Sequence, residues 1–484
     1  MSSHALLTYR FTLFAALVLS LSTLSGCELL GDRLIPEVSS VDEVSWTDHV
    51  EPLLQRSCAA CHGGDSPSAG LSVESWEMLV AGSAGGEVLI PFSGDESALI
   101  RLMSRTDRKS HPSKKNQLSE AEIALLKQWI DEGSKGPAGL TPIETAIDLV
   151  YVTHTAAPVV TVIESSARIV LARVNLTDEG FSSHARAVHV AVEPDGSFWY
   201  ATIGSTLWSD PTVLAKFSRS NHLVATIPIE SPGQILVHPD SDMLYVSSFP
   251  EETTEPRYLL EIKRSDLSRQ QVQVTFPDAY PLALRPQGDV VFSSSLSVDQ
   301  MMIVNLDDQK VRFFDIKGSK HAFIYFAMAP WGVKMWGSAR GTSTLTLFST
   351  SNPSQVIQHH SLWVGDDPRQ ITYSPDGTHV YAAIRGMDRV AVIDAVAEVP
   401  ADPIDHLAMR EPVGLAITRD GKTLFVASEN EGGWYKGRFA FPEDAPPGTI
   451  SVIDTETGEV VKVLESAPGA AAMGSSVVVP LTTN

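Results

Sequence analysis

A short turn recurs six times along the later part of the chain, and its spacing leaves few architectures open. It reads Pro194-Asp195-Gly196, Pro239-Asp240-Ser241, Pro286-Gln287-Gly288, Pro330-Trp331-Gly332, Pro375-Asp376-Gly377 and Arg419-Asp420-Gly421. Successive turns lie 45, 47, 44, 45 and 44 positions apart. Short β-branched and aromatic runs flank them, and helical periodicity largely disappears. The run after the turn also recurs, as Trp199-Tyr200-Ala201, Tyr245-Val246-Ser247, Tyr381-Ala382-Ala383 and Phe425-Val426-Ala427. A further run ends in Val392-Ile393-Asp394 and again in Val452-Ile453-Asp454. Strand, turn and strand at this period make a four-stranded propeller blade, which buries its faces only against neighbouring blades.

Six such units start between residues 188 and 411. A seventh can be assembled from both ends of the region. Leu149 to Thr153 and Val160 to Ile163 look like inner strands lacking a first strand, and Gly469 to Ser475 could supply it. Closure of this kind removes an open sheet edge. Eight blades is the rival count. The units resemble the YVTN family of seven-bladed β-propellers, shared by bacterial surface proteins and lactonase-like proteins.

The sixth unit carries an insertion, Gly432 to Pro447, with Trp434, Tyr435, Phe439 and Phe441. Loops after second strands share a face with the connections between blades. The insertion is therefore a candidate docking or substrate loop, or a loop that packs on its own neighbours. The propeller histidines, His154 to His406, are scattered. None is identifiable as an iron ligand, and His359 and His360 would point to opposite faces of a strand.

Upstream lies Cys58-Ala59-Ala60-Cys61-His62. Two thiols at this spacing can each form a thioether to a haem vinyl group, and the following histidine is placed under the iron. A redox dithiol or half of a zinc site are the alternatives. Only three cysteines exist, so no second pair is available for zinc. The third, Cys27, ends Leu24-Ser25-Gly26-Cys27 after an apolar run from Phe11 to Leu21, too short to span a bilayer. That stretch resembles a bacterial lipobox. The resemblance implies removal of residues 1–26, lipid on Cys27 and attachment to the cell envelope, on the periplasmic side or at the outer membrane. Glu28 rather than Asp follows, so the inner-membrane retention signal of enteric bacteria is absent. With 484 residues, 43% of them hydrophobic, the chain can bury a sizeable core, and its formal net charge of −22 argues against a nucleic-acid surface.

Residues 27–42 read as a tether, 43–136 as a haem-bearing region, 137–146 as a linker and 147–484 as the propeller. A helix is expected over Pro52 to Ser57. Another is expected after the capping pair Ser119 and Glu122, with Ile123, Leu126 and Ile130 at helical spacing and Gly133 at its end. This region resembles the cytochrome c domains common in planctomycetes and myxobacteria, through Val50-Glu51-Pro52-Leu53-Leu54, Gly70-Leu71-Ser72-Val73, Ile90-Pro91 and Leu118 to Gly133. The resemblance implies a small all-α class I cytochrome c domain holding one covalent haem c on Cys58 and Cys61, with His62 as proximal ligand. In that family a Met-Pro pair usually supplies the distal ligand. Here His111-Pro112 stands in its place, so bis-histidine ligation and a low potential are expected. Met103, Met78, His49 or an open position are the rivals.

The expected function is an electron-transfer lipoprotein whose propeller docks a redox partner. One alternative is an oxidoreductase in which the propeller binds substrate and the haem removes electrons. Another is a surface interaction protein with a sensory or structural haem.

Overall fold

The computed structural model describes residues 42–83, 87–104, 117–207, 209–247, 258–274, 278–318, 320–437 and 445–475. Seven antiparallel sheets form a closed ring, six of four strands and one, blade 6, whose outer strand is split into Val399–Pro400 and Ile404–Asp405, and this excludes eight blades. Blade 1 takes its innermost strand from the C-terminal end. Ala470–Ser475 pairs with Leu149–His154, followed outward by Val159–Glu164 and Ile169–Asn175. Blades 2 to 7 follow in chain order and start at Ala185, Ile235, Ala279, Phe323, Pro368 and Pro412. Blade 7 is the sixth repeat unit of the sequence.

The recurrent turns join first strands to second strands. Their glycines, Gly196, Gly288, Gly332, Gly377 and Gly421, all hold positive φ, which a side chain would resist. Four residues after each turn stands a large side chain, Tyr200, Phe292, Trp336, Tyr381 or Phe425. All of them are buried between blades.

The channel at the centre is bridged rather than open. Gln234, 3% exposed on the way into blade 3, accepts from Leu282 N at 2.9 Å in blade 4 and donates to Ile324 O at 2.8 Å in blade 5. Gln370 of blade 6 spans the other side. It accepts from Leu415 N of blade 7 and Met473 N of the closing strand, and donates to Met473 O at 3.0 Å. Each glutamine therefore ties three blades. Gln234→Ala strands a buried amide and a buried carbonyl, and should destabilise by about 2–4 kcal/mol. Gln370→Ala, in a wetter setting, should cost less. Thermal unfolding of the two variants checks the order.

Before the propeller the chain is helical: α1 (Glu51–Ser57), α2 (Ala59–His62), α3 (Trp76–Ala81), α4 (Ala98–Met103) and α5 (Glu120–Asp131), with a π-helical turn at Trp46–Val50. Pro52 sits in the first turn of α1, and Ser119 and Glu122 close a full capping box on α5. Val50, Leu54, Leu79, Leu126, Trp129 and Ile130 form the centre of a separate small core. The stretch read as a linker is ordered. Thr141 and Glu144 cap α6 (Pro142–Thr145), and Ile143 is buried in the core of blades 1 and 2.

This helical region covers the outer edge of blade 1 and reaches blade 7. Ile90 joins the core made by Val150, Val170, Phe425 and Leu464. Arg173, on the outermost strand of blade 1, pairs with Glu96 at 2.6 Å and donates to Glu465 O of blade 7. Burial raises the pKa of Glu87 against the pull of Arg173 and lowers that of Lys462. An edge strand that would otherwise offer unpaired backbone is thereby shielded.

Candidate haem-attachment site

The Cys58-to-His62 run sits at a helical joint. Cys58 ends α1, with its N–H donated to Leu54 O at 2.7 Å, and α2 carries Cys61 and His62 one turn further on. Cys61 N and His62 N both return to Cys58 O, at 3.1 and 2.9 Å. The two thiols are free of any disulfide, with Cys58 half-buried and Cys61 exposed. Burial, together with the neighbouring Cys61, pushes the Cys58 thiol up. A redox dithiol needs the opposite shift, so this environment disfavours that alternative.

His62 is oriented by a backbone partner. Its Nδ1 lies 3.1 Å from Ser68 O. A carbonyl only accepts, so Nδ1 carries the ring proton and Nε2 is the lone-pair nitrogen of the neutral ring. That is the tautomer a metal ligand requires, held by the kind of partner that fixes ligating histidines. The loop is anchored on both sides, by Val73 N to His62 O at 2.9 Å and by Gln55 Nε2 to Val73 O at 2.9 Å.

Leu71, Leu99, Met103 and Leu118 flank the core that Cys58 and Ala59 also touch, yet stay only half-buried. Met78 and Leu102 are exposed. One exposed and one half-buried thiol, an imidazole held with Nδ1 as donor, and half-buried apolar side chains on the core that Cys58 also touches fit a covalently attached porphyrin.

The rivals for the sixth ligand stand in different surroundings. His49 Nδ1 accepts from Ser45 N at 3.0 Å, so its other nitrogen carries the proton and offers no lone pair. Met78 Sδ accepts from Ser72 Oγ at 3.3 Å, and Met103 packs against the small core. His111 and Cys27 lie outside the described residues. Among the described residues no helix is long and apolar enough to cross a membrane.

The propeller places His189 on the innermost strand of blade 2. Its Nδ1 accepts from Ile235 N at 3.3 Å, so it presents a protonated Nε2 rather than a ligand to the channel. His360 turns toward Glu398 at 3.8 Å, and the adjacent His359 is exposed. In the insertion of blade 7, buried Asn430 donates to Tyr435 O and Pro447 O and accepts from Tyr435 N. Tyr435 Oη reaches Glu465 at 3.1 Å, while Trp434 is 77% exposed. The root of the insertion is therefore fixed, and its tip lies outside the described residues.

Fold and site together define a seven-bladed β-propeller preceded by a helical segment that carries a Cys-x-x-Cys-His run. The family of planctomycete cytochrome C matches residues 58–111. In structure, the propeller is similar to the periplasmic gluconolactonase PpgL of Pseudomonas aeruginosa, with TM-score 0.53 and 13% identity over 69% of this chain and 99% of that one. A protein of Desulfotomaculum acetoxidans of unknown function gives TM-score 0.51 and 14% identity, covering 66% and 99%. At these identities the likeness concerns the fold alone. No curated protein matches the chain by sequence.

Proposed function

We propose that this chain is a c-type haem electron-transfer lipoprotein whose propeller is a scaffold for docking a redox partner. In this reading residues 43–136 form a small cytochrome c domain. The observation that carries it is the Cys58-Ala59-Ala60-Cys61-His62 run, inside the planctomycete cytochrome C match, with His62 already held in the ligating tautomer by Ser68 O. Bound there, the iron would supply a one-electron couple. Cys58 and Cys61 would hold the group by thioethers, and His62 Nε2 would be the proximal ligand. His111 would take the distal side and favour the oxidised iron. Leu71, Leu99, Met103 and Leu118, half-buried on the core that Cys58 also touches, would limit the access of water.

The rest of the chain serves placement. Lipid on Cys27 would tether the protein at the envelope, with residues 27–42 as spacer. The ion pair of Arg173 with Glu96 and the buried Ile90 hold the haem-bearing region against blades 1 and 7, so it does not tumble on a free linker. A partner protein meets a fixed surface.

The test is a redox titration of the purified protein with a mediator set, followed by mixing with small reduced c-type cytochromes. A single reversible one-electron wave and rapid exchange are expected. An inert couple would favour a sensory or structural role instead.

A further inference from the structure

The outermost strand of a blade offers unpaired backbone at the rim of the ring, and such edges invite pairing unless they are guarded. Six of the seven are. The helical region lies over Ile169–Asn175 of blade 1, where Arg173 holds Glu96. Blades 3, 4 and 7 carry charge on this strand, with Arg269, with Arg312 and Asp315, and with Lys462 and Glu465. Blade 2 ends its strand on Pro228, and blade 6 splits its own on either side of residues 401–403.

Blade 5 differs. Its outermost strand, Ile357–Trp363, holds no Asp, Glu, Lys, Arg or Pro, and pairs only with Thr344–Ser349. A bulge falls at His359 and His360, and His360 turns in toward Trp336 and Glu398. Trp363 is nevertheless 63% exposed and Ile357 50%. Val396 and Val399, exposed on the hairpin of blade 6 that carries Glu398, extend this apolar surface.

The surrounding charge points to the occupant. A net charge of −22 makes two copies of this chain repel across most of their surfaces. Residues 323–365 contain no carboxylate, and their two cations are already matched, Lys334 by Glu398 and Arg340 by Asp367. Two copies can approach here without that repulsion. The ends of the strand also differ in sign. At the first end, the Gln358 amide accepts from Lys317 N at 2.6 Å and donates to Lys317 O at 2.9 Å. The exposed ammonium of Lys317 makes no ion pair among the described residues. Beyond the other end stands exposed Asp366, whose Oδ1 accepts from Ser343 Oγ at 3.2 Å.

We propose that two copies of this chain pair edge to edge through Ile357–Trp363, antiparallel and about a two-fold axis. Antiparallel pairing brings Lys317 of each copy toward Asp366 of the other, and Trp363 toward the Ile357 end. The strand is self-complementary in charge and in apolar surface, as a two-fold interface requires. The haem-bearing region lies on blades 1 and 7 and takes no part in the contact. The pairing therefore stands or falls separately from the haem reading.

Sedimentation equilibrium of the purified full chain in density-matched detergent tests it. The mass of two chains is expected at micromolar concentration. Trp363→Glu should weaken the dimer tenfold or more, roughly the effect of losing a central aromatic anchor. Lys317→Glu and Asp366→Lys each set like charges together twice, and each should weaken it by about fivefold. The variant carrying both reversals should regain the original affinity. Unfolding curves confirm that each variant is folded, and the charge reversals decide the matter if Trp363→Glu is not. A single-chain mass at every concentration would leave this edge to a strand of some different protein and overturn the inference. So would a dimer that folded Trp363→Glu leaves intact, or a double reversal that fails to restore what either single reversal loses.

Discussion

A chain ending at Pro468 loses the cooperative unfolding of the propeller or unfolds roughly 10–20 °C lower. Residues 470–475 are the inner strand of blade 1, and their loss does three kinds of damage. The ladder from Val150–Ser475 to His154–Ala470 disappears, which leaves Leu149–His154 as an open edge beside the channel. Buried Ala470 and Met473 leave the core they share with Val150 and Phe425. Gln370 loses both of its partners on Met473, so blade 6 is cut from blade 1. Together these exceed about 5 kcal/mol, a large share of the stability of an ordinary domain. Close packing on both flanks shows how tightly the strand is fitted. A Cβ on Gly414 would overlap Ala471 O, and one on Gly474 would crowd Val190 O. Calorimetry and size-exclusion chromatography of the truncated protein give the answer. An unchanged transition would mean that the ring does not depend on this closure.

Replacing His62 with alanine should abolish the low-spin absorption spectrum of the purified holoprotein while leaving the thioether residues in place. Only one nitrogen in the motif is held in the ligating tautomer, and Ser68 O holds it. Alanine at this position offers no lone pair, and the loop between Gly63 and Gly70 carries no second imidazole. Electron exchange with a small cytochrome should fall by about tenfold or more, in line with the effect of disturbing a metal-ligand sphere. Carbon monoxide should then bind the reduced protein. Unfolding should shift little, because His62 is not among the side chains of the small core around Leu54 and Trp129. A His62→Ala protein with an unaltered spectrum would place the proximal ligand elsewhere.

Much of this architecture is local in origin and could be read along the chain. The turn glycines announce themselves because positive φ is a property of one residue. The capping box of Ser119 and Glu122 spans three positions. Closure by Gly469 to Ser475 follows from counting: inner strands at Leu149 and Val160 lack a partner, and the far end has one to spare. The attachment motif is likewise contiguous.

What was not legible depends on distant partners. Gln234 finds Ile324 90 positions away, and Gln370 finds Met473 103 positions away, so neither differs in sequence from a surface glutamine. Arg173 and Glu96 meet across 77 positions. Residues 137–146, with two prolines and a glycine, read as a linker. Only the packing of Ile143 against blades 1 and 2 makes them a fixed joint.

The central claim is a single porphyrin bonded to Cys58 and Cys61. The direct measurement combines denaturing mass spectrometry with acid-acetone extraction, on protein produced where haem-attachment machinery is active. Pigment that stays with the polypeptide, at one per chain and on the peptide containing both cysteines, is the expected result. Colourless protein, or pigment that extracts freely into the solvent, would contradict it.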